Sequence, residues 1–369
     1  MVSSTEVCIS EEEAALYDRQ LRLWGVEAQN RLKRSRILLL GMTPLAAELA
    51  KNLVLVGIQS LTVVDDVLAT EEDVSCNFLI PCEAVGKPVI APIPADYSLK
   101  RSTAALPRIQ ALNSMVRVSA LSAGCNNPIQ EGHTYDVVIL TSSCLESDIS
   151  NWIALKNNLR KSTGQVPGAH IVLASTMAFF GVAFLDLGYH EFMAEEVLPK
   201  KRPAPSATGV KKSQAASGTE STFVKKVARY SDLQDCLDMT WSSTGTCPSL
   251  SPKSMPKGFL LLEVLRRCTI ADLPLNVEFL KSVWTSVSAT LGVDSGFLSD
   301  EEFACCCGAP SPSVNAVLGG VVAQEIVRAI TGKGAPYGNW YFFNGLQCSM
   351  TVEWLPKEDI CPAPTTNSV

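Results

Sequence analysis

The residues best suited to chemistry lie near the N-terminus. Tyr17-Asp-Arg-Gln-Leu-Arg-Leu-Trp-Gly25 places two arginines, an acid and a tryptophan in one short run. Arg19 and Arg22 are three apart, on one side of a helix or turn, while Leu21, Trp24 and Ala28 recur at the spacing of a face that docks on a core. Such arginines form a solvated face, or one of them is held outward to neutralise phosphate on another subunit, as an arginine finger does. A second candidate is the turn Gly41-Met-Thr-Pro-Leu-Ala46. A phosphate loop of this type uses G-x-G-x-x-G so that backbone N–H groups approach phosphate without obstruction by Cβ. Here only Gly41 remains; Thr43 and Ala46 fill the other two glycine places, and Pro44 removes a donor. The prediction is that phosphate cannot sit close against this turn. Asp65 stands where a carboxylate could accept ribose hydroxyls. Beside such a loop, a helix-capping or solvated carboxylate is the expectation.

Cysteine chemistry finds less support. The chain has 13 cysteines and 3 histidines but no C-x-x-C pair, which argues against a four-thiolate zinc site. Cys305-Cys306-Cys307 are adjacent, so their side chains diverge and cannot share a metal. His133, His170 and His190 could each serve a thiol nucleophile, yet nothing in their spacing pairs them with one, and structural placement is expected.

These candidates need elements to position them. Ser10 and Glu13 have capping-box spacing ahead of two helical runs, Glu11–Leu23 and Val26–Leu32. Arg36–Leu40 is a short apolar run closed by Gly41, read as a buried parallel strand. Pro44 suits the first turn of a helix over Leu45–Val56, and Ser60–Asp65 is the next strand. Strand, glycine turn, helix, strand and acid open a doubly wound α/β fold with a mostly parallel sheet. Further strands are predicted at Val116–Ala120, Asp136–Leu140 and Ile171–Ser175, with a helix at Glu146–Arg160. Phe179–Leu187 is expected to turn the sheet antiparallel. Pro81–Arg101, rich in proline, reads as a surface loop leading into a helix, Ser102–Asn113, that Pro107 should kink. Helices are predicted at Gly258–Arg267, Asn276–Leu291, Asp300–Cys306 and Ser313–Ile330, and terminal strands at Trp340–Phe343 and Met350–Leu355. Gly319-Gly320 inside the last helix costs stability there, which suggests that another backbone approaches closely.

Charge and composition bound the function. With 31 Lys+Arg against 37 Asp+Glu the net charge is −6, without the basic face that nucleic acid requires. Met1–Glu13 is acidic and polar, unlike a secretory or transit peptide. The apolar stretch Ile171–Leu185 is shorter than the roughly 20 residues of a spanning helix and reads as a buried strand pair, so no membrane partner is expected. A soluble, intracellular protein with reduced thiols is the expectation. From Pro199 to Thr222 large apolar residues nearly vanish, the mark of a linker that cannot bury itself. Within it, Pro199-Lys-Lys-Arg-Pro203 is either a nuclear import signal or a solvated charged stretch.

Taken together, Tyr17–Gly25, Gly41 through Asn52, Asn77-Phe-Leu79, Val322–Val327 and Trp340–Gly345 resemble the smaller, non-catalytic subunits of SUMO-activating enzymes, within the ubiquitin-like modifier activating enzymes. The Tyr-Asp-Arg-Gln-x-Arg-Leu-Trp-Gly signature is shared with the regulatory subunit of the Nedd-type enzyme, which stays open as an alternative. Chain length, the short linker, and Phe223–Val227 followed by Thr240-Trp-Ser-Ser243 favour the SUMO type. The resemblance implies a Rossmann-like adenylation-type domain of the ThiF/MoeB kind with an antiparallel extension. It would run over 10–198 and 223–356, split by a flexible basic linker at 199–222, with tails at 1–9 and 357–369. It also implies a heterodimer in which only the larger, catalytic subunit holds ATP and magnesium, a zinc site and the catalytic cysteine, while this chain alone binds no cofactor. Arg19 matches the arginine lent in trans, with Arg22 a weaker candidate. SUMO and its conjugating enzyme would be met through the complex, in the nucleus and also in the cytoplasm.

Three features agree with an inactive pocket: the altered glycine loop, Ile80-Pro81 where active relatives carry an arginine, and Thr141-Ser142-Ser143 in place of a magnesium-binding aspartate. The Pro88–Arg101 insert departs from the family pattern. The partner interface is placed on the Gly319-Gly320 helix near Gln324, the alternative being an ordinary core helix. A stand-alone adenylating or NAD(P)-using enzyme and a pure scaffold are the remaining alternatives.

Overall fold

In the computed structural model of the chain, residues 10–85, 99–121, 134–142, 145–163, 169–197, 221–239, 255–356 and 361–362 are described. His133, Ser143, Pro199–Pro203, Thr240–Ser243 and most of Pro88–Arg101 lie outside them.

Ser10 and Glu13 form the expected capping box. The Glu13 N–H donates to Ser10 Oγ at 3.2 Å, and the Ser10 N–H donates back to Glu13 at 2.9 Å. This starts α1 (Glu11–Leu16), but the helix breaks at Tyr17, earlier than predicted. Then α2 (Asp18–Leu32) runs on with a kink at Gly25, whose φ of 79° is costly for any residue with a Cβ. Next come β1 (Arg36–Leu40), α3 (Pro44–Leu55), β2 (Ser60–Val64), α4 (Glu71–Cys76), α5 (Arg101–Leu112, a single helix with Pro107 inside it), β3 (Arg117–Leu121), β4 (Val137–Thr141), α6 (Glu146–Thr163), β5 (His170–Met177) and β6 (Phe180–Asp186).

Two strands follow, β7 (Tyr189–Val197) and β8 (Ser221–Arg229), neither of which has a counterpart among the strands expected from sequence. The chain continues through α7 (Leu233–Leu237), α8 (Lys257–Leu265), α9 (Val277–Leu291), α10 (Asp300–Ala304) and α11 (Pro312–Thr331) to β9 (Trp340–Asn344), β10 (Ser349–Glu353) and β11 (Cys361–Pro362).

The main sheet has the order β10-β9-β6-β5-β4-β1-β2-β3. Five neighbouring strands, β5 to β3, pair in parallel, and β6, β9 and β10 extend them antiparallel. The chain leaves β1 toward β2 and β3, then returns to the other side of β1 with β4. That reversal puts a crevice beyond the C-terminal ends of β1 and β4, where ligands of open α/β sheets bind. One core packs α3 and α11 against one face of the sheet, and the other packs α8, α9 and α10 against the opposite face. A small second sheet, β11-β8-β7, stands apart.

The proline-rich excursion after α4 is pinched at its base. The Leu99 N–H donates to the Ala84 carbonyl at 3.0 Å, and the Ala69 N–H to the Leu99 carbonyl at 2.8 Å.

Candidate functional site

The crevice is lined by the turn after β1, and its geometry follows from a few side chains. Gly41 has a φ of +85°, and a Cβ there would lie 2.3 Å from the Thr141 carbonyl oxygen at the end of β4. Only glycine fits, which explains why this glycine is present when the other two places of the loop are filled. Thr141 Oγ1 donates to the Gly41 carbonyl at 3.0 Å. The Gly41 N–H is taken by Val64. The Met42 N–H donates to the Asp65 carboxylate at 2.7 Å, and the Val67 N–H reaches the same carboxylate at 2.9 Å. Asp65 is therefore neither a helix cap nor solvated, as its sequence position had suggested; it is buried and organises the loop.

At the start of α3, Thr43 Oγ1 accepts the Ala46 N–H at 3.2 Å, and the Thr43 carbonyl accepts the Ala47 N–H. Pro44 has no N–H to offer. Asn77 is buried, donates to the Met42 carbonyl at 3.0 Å and accepts the Leu79 N–H at 3.1 Å. The amides of Gly41, Met42, Ala46 and Ala47 thus all have partners within the chain. Leu79 and Ile80 are core residues. Among the described residues, no group of three or more His, Cys, Asp or Glu side chains is placed to hold a metal ion.

Arg19 stands on a differently built feature. Tyr17 is buried where α1 passes into α2; its hydroxyl accepts a hydrogen bond from Asn113 Nδ2 at 2.8 Å. The hydroxyl end of its ring packs against Gly57, where a Cβ would come within 2.5 Å of it. Further along α2, Gln29 Nε2 donates to the Val56 carbonyl at 3.0 Å, satisfying one of the free carbonyls at the end of α3. Just before the kink, Lys333 Nζ donates to the Trp24 carbonyl, and beyond it Arg31 donates to the Thr331 carbonyl at 3.0 Å. On this fixed segment the two arginines have different fates. Arg22 is engaged by Asp18, with Nε–Oδ1 at 3.1 Å and Nη2–Oδ2 at 3.0 Å. Arg19 is exposed and makes no hydrogen bond or ion pair with a described residue.

The paired glycines of α11 also separate. Gly319 is buried, and a Cβ there would sit 2.7 Å from Glu48 Cβ, so the close approach inferred from sequence is made by α3 of the same chain. Gly320 has open space where a side chain would be; Val317 and Gln324 are exposed on the same helix.

The buried cysteines Cys236, Cys268, Cys305 and Cys306, and the histidines His170 and His190, behave as structural groups. Burial pushes the Cys236 thiol up to about 12 and Cys268 up to about 11, far from the range of a reactive thiolate. Cys305 and Cys306 are buried with their sulfurs 3.9 Å apart. His170 and His190 meet edge to face, with ring centroids 5.8 Å apart. Burial, aided by the neighbouring His170, lowers His190 to about 4.

One buried cluster escaped the sequence analysis. Lys156 on α6 is enclosed, with its Nζ 2.9 Å from Asp186 and 2.6 Å from Asp232. The three residues lie far apart in sequence, and no local spacing signals that they meet.

Comparison with known proteins supplies the remaining finding. The model of the ThiF family matches residues 17–363. The chain is 37% identical to SUMO-activating enzyme subunit 1 of Xenopus laevis over 368 residues, covering 96% of this chain and 99% of that protein. It is 35% identical to the Homo sapiens protein of the same name, covering 95% and 97%, and 33% identical to that of Danio rerio, covering 97% and 99%. Among solved structures, E. coli MccB matches with a TM-score of 0.50 at 11% identity, covering 95% of this chain and 70% of that one. PaaA matches with a TM-score of 0.50 at 13% identity, covering 95% and 76%. The likeness to these two is one of fold.

Proposed function

The chain belongs to the ThiF family, and from that premise we propose that it is the smaller, regulatory subunit of a heterodimeric SUMO-activating enzyme, lending Arg19 to the ATP site of the larger subunit. The observation that carries this reading is a contrast within one molecule. Four amides of the crevice turn, those of Gly41, Met42, Ala46 and Ala47, are spent on Val64, Asp65 and Thr43. The exposed Arg19 guanidinium, on a segment anchored at both ends, makes no hydrogen bond or ion pair with a described residue.

The residues of this chain's own crevice do not fit a triphosphate with magnesium. A phosphate oxygen would have to displace the Asp65 carboxylate from the Met42 N–H, and would then lie beside that negative charge. Thr141 and Ser142 stand where a metal-binding carboxylate would be needed. ATP and magnesium are accordingly assigned to the catalytic subunit, together with the cysteine that carries the thioester.

In that complex the C-terminal carboxylate of SUMO attacks the α-phosphorus of ATP, pyrophosphate leaves, and an acyl adenylate results. A thiolate of the larger subunit then displaces AMP and holds SUMO as a thioester, ready for the conjugating enzyme. Negative charge builds on the departing pyrophosphate during the first step. A guanidinium fixed where charge develops stabilises that transition state without reorganisation. Arg22, held by Asp18, contributes to the surface of the arm and not to the phosphate. The exposed face of α11 around Val317, Gly320 and Gln324 is assigned to the subunit interface. The complex is placed in the nucleus as well as the cytoplasm.

The test is reconstitution with a catalytic subunit, using Arg19→Ala. The expected outcome is a heterodimer that still co-purifies while ATP–pyrophosphate exchange falls by roughly a hundred-fold or more, the lower end of what such groups supply. An unchanged exchange rate would remove Arg19 from the reaction and leave the chain a scaffold.

A further inference from the structure

We infer that Tyr17, through its contacts with Asn113 and Gly57, is a positioning residue for Arg19; this deepens the reading given above and rests on it. An arginine that acts across a subunit boundary is useful only if its backbone is already in place, because ordering it during the reaction would cost conformational entropy. Arg19 lies in the first turn of α2, the part of a helix whose N–H groups lack intrahelical partners and which frays most easily. The N-cap residue of α2 is Tyr17, and its side chain makes no capping hydrogen bond. What fixes this helix start is tertiary.

Tyr17 is 3% exposed, although the residues that follow it, Asp18 and Arg19, face solvent. Its hydroxyl accepts from Asn113 Nδ2 at 2.8 Å, and the same amide group donates to the Val54 carbonyl at 2.9 Å. The Asn113 oxygen is fixed in turn by the Met115 N–H at 3.0 Å. Asn113 therefore ties the ring to the end of α3 and to the turn after α5. Gly57 completes the seat: with φ +82° and no Cβ, it lets the ring lie on the backbone. The Leu21 N–H donates to the Tyr17 carbonyl at 2.8 Å, closing the turn that contains Arg19. At the far end of the segment, Lys333 holds the Trp24 carbonyl just before the Gly25 kink. A group two residues from Arg19 is thus locked in the core, while Arg19 itself is exposed and makes no hydrogen bond or ion pair with a described residue.

The experiment is Tyr17→Phe, which keeps the ring on Gly57 and removes only the bond from Asn113. It is made in the reconstituted heterodimer, alone and together with Arg19→Ala. A lost hydrogen bond of ordinary strength corresponds to roughly a five-fold effect. The expected result is a kcat for ATP–pyrophosphate exchange lowered by about that factor with KM for ATP unchanged, since an interaction made in the transition state appears in kcat. In the Arg19→Ala background the same substitution should cost nothing further, because Tyr17 acts only through Arg19.

A Tyr17→Phe subunit with unaltered kcat overturns the inference, as does a loss that multiplies with that of Arg19→Ala, or one that appears in KM alone. A silent Arg19→Ala is a different failure and strikes the trans-arginine reading itself. Should Tyr17→Phe impair assembly, amide hydrogen exchange at Leu21 and Arg22 in a Gly57→Ala subunit provides an independent measurement. Exchange faster than wild type supports the seat, and unchanged protection there refutes it.

Discussion

Replacing Gly319 and Gly320 separately by alanine tests the packing of α11 from both sides. In a helix interior each change gains about 1 kcal/mol from backbone propensity alone. At Gly320 nothing lies within 4 Å of the new Cβ, so the gain should be realised, and Gly320→Ala should stabilise the isolated chain by about 1 kcal/mol. At Gly319 the new Cβ would meet Glu48 Cβ at 2.7 Å, about 1 Å closer than carbon atoms tolerate. That atom is attached directly to the α3 backbone and cannot swing aside, so α3 and α11 must separate or bend, which costs typically 1–3 kcal/mol. Subtracting the propensity gain leaves Gly319→Ala destabilising by about 0–2 kcal/mol, and the two variants about 1–3 kcal/mol apart. Urea denaturation of the two isolated subunits, compared at equal m-values, measures that gap. If Gly319→Ala proved as stable as Gly320→Ala, the close α3–α11 contact would be refuted. The same pair then bears on assembly: Gly320→Trp should abolish co-purification with the catalytic subunit while the isolated chain remains folded.

Other perturbations follow from buried groups. His190 titrates near 4 in the folded chain against 6.5 unfolded, so its contribution to stability is fully present above pH 6.5 and is lost as the pH falls toward 4. The loss is on the order of 3 kcal/mol, and His190→Leu should flatten the acid limb of a stability-versus-pH curve. A limb of unchanged slope would count against it. Lys156→Met leaves the Asp186 and Asp232 carboxylates without their shared cation and should cost roughly 3–5 kcal/mol in denaturant unfolding; a cost below about 1 kcal/mol would contradict the buried network. Asp65→Ala strips the partner from the Met42 and Val67 amides and should destabilise by about 1–3 kcal/mol, whereas a solvated carboxylate in that position would be replaceable at no cost.

Local physics made much of this molecule readable. The capping box at Ser10, the apolar strands β1, β2 and β4, and the proline-headed α3 all follow from rules that act over a few residues, and the altered glycine turn announced itself by composition. The difference between Arg19 and Arg22 is itself legible in sequence, since Asp18 stands four residues before Arg22, the spacing of a helical ion pair. The two glycines of α11 could likewise have been divided, because consecutive helical positions point about 100° apart. Other features had no local signature. Whether Asp65 meets water or two amides depends on how the β1 turn folds back over β2. The strand β7 alternates buried His190 and Phe192 with exposed Tyr189 and Glu191, yet its partner β8 comes only after the basic linker. The Lys156 cluster joins α6, the end of β6 and the start of α7, and only tertiary structure assembles it.

The pinch between Ala84 and Leu99 has a practical side. A segment whose two ends already meet can change length at little thermodynamic expense, since closure entropy grows only with the logarithm of the residues enclosed. Inserting an epitope or a fluorescent reporter between those two residues is therefore expected to cost the fold little, because the bond from Leu99 to Ala84 closes the segment whatever its length.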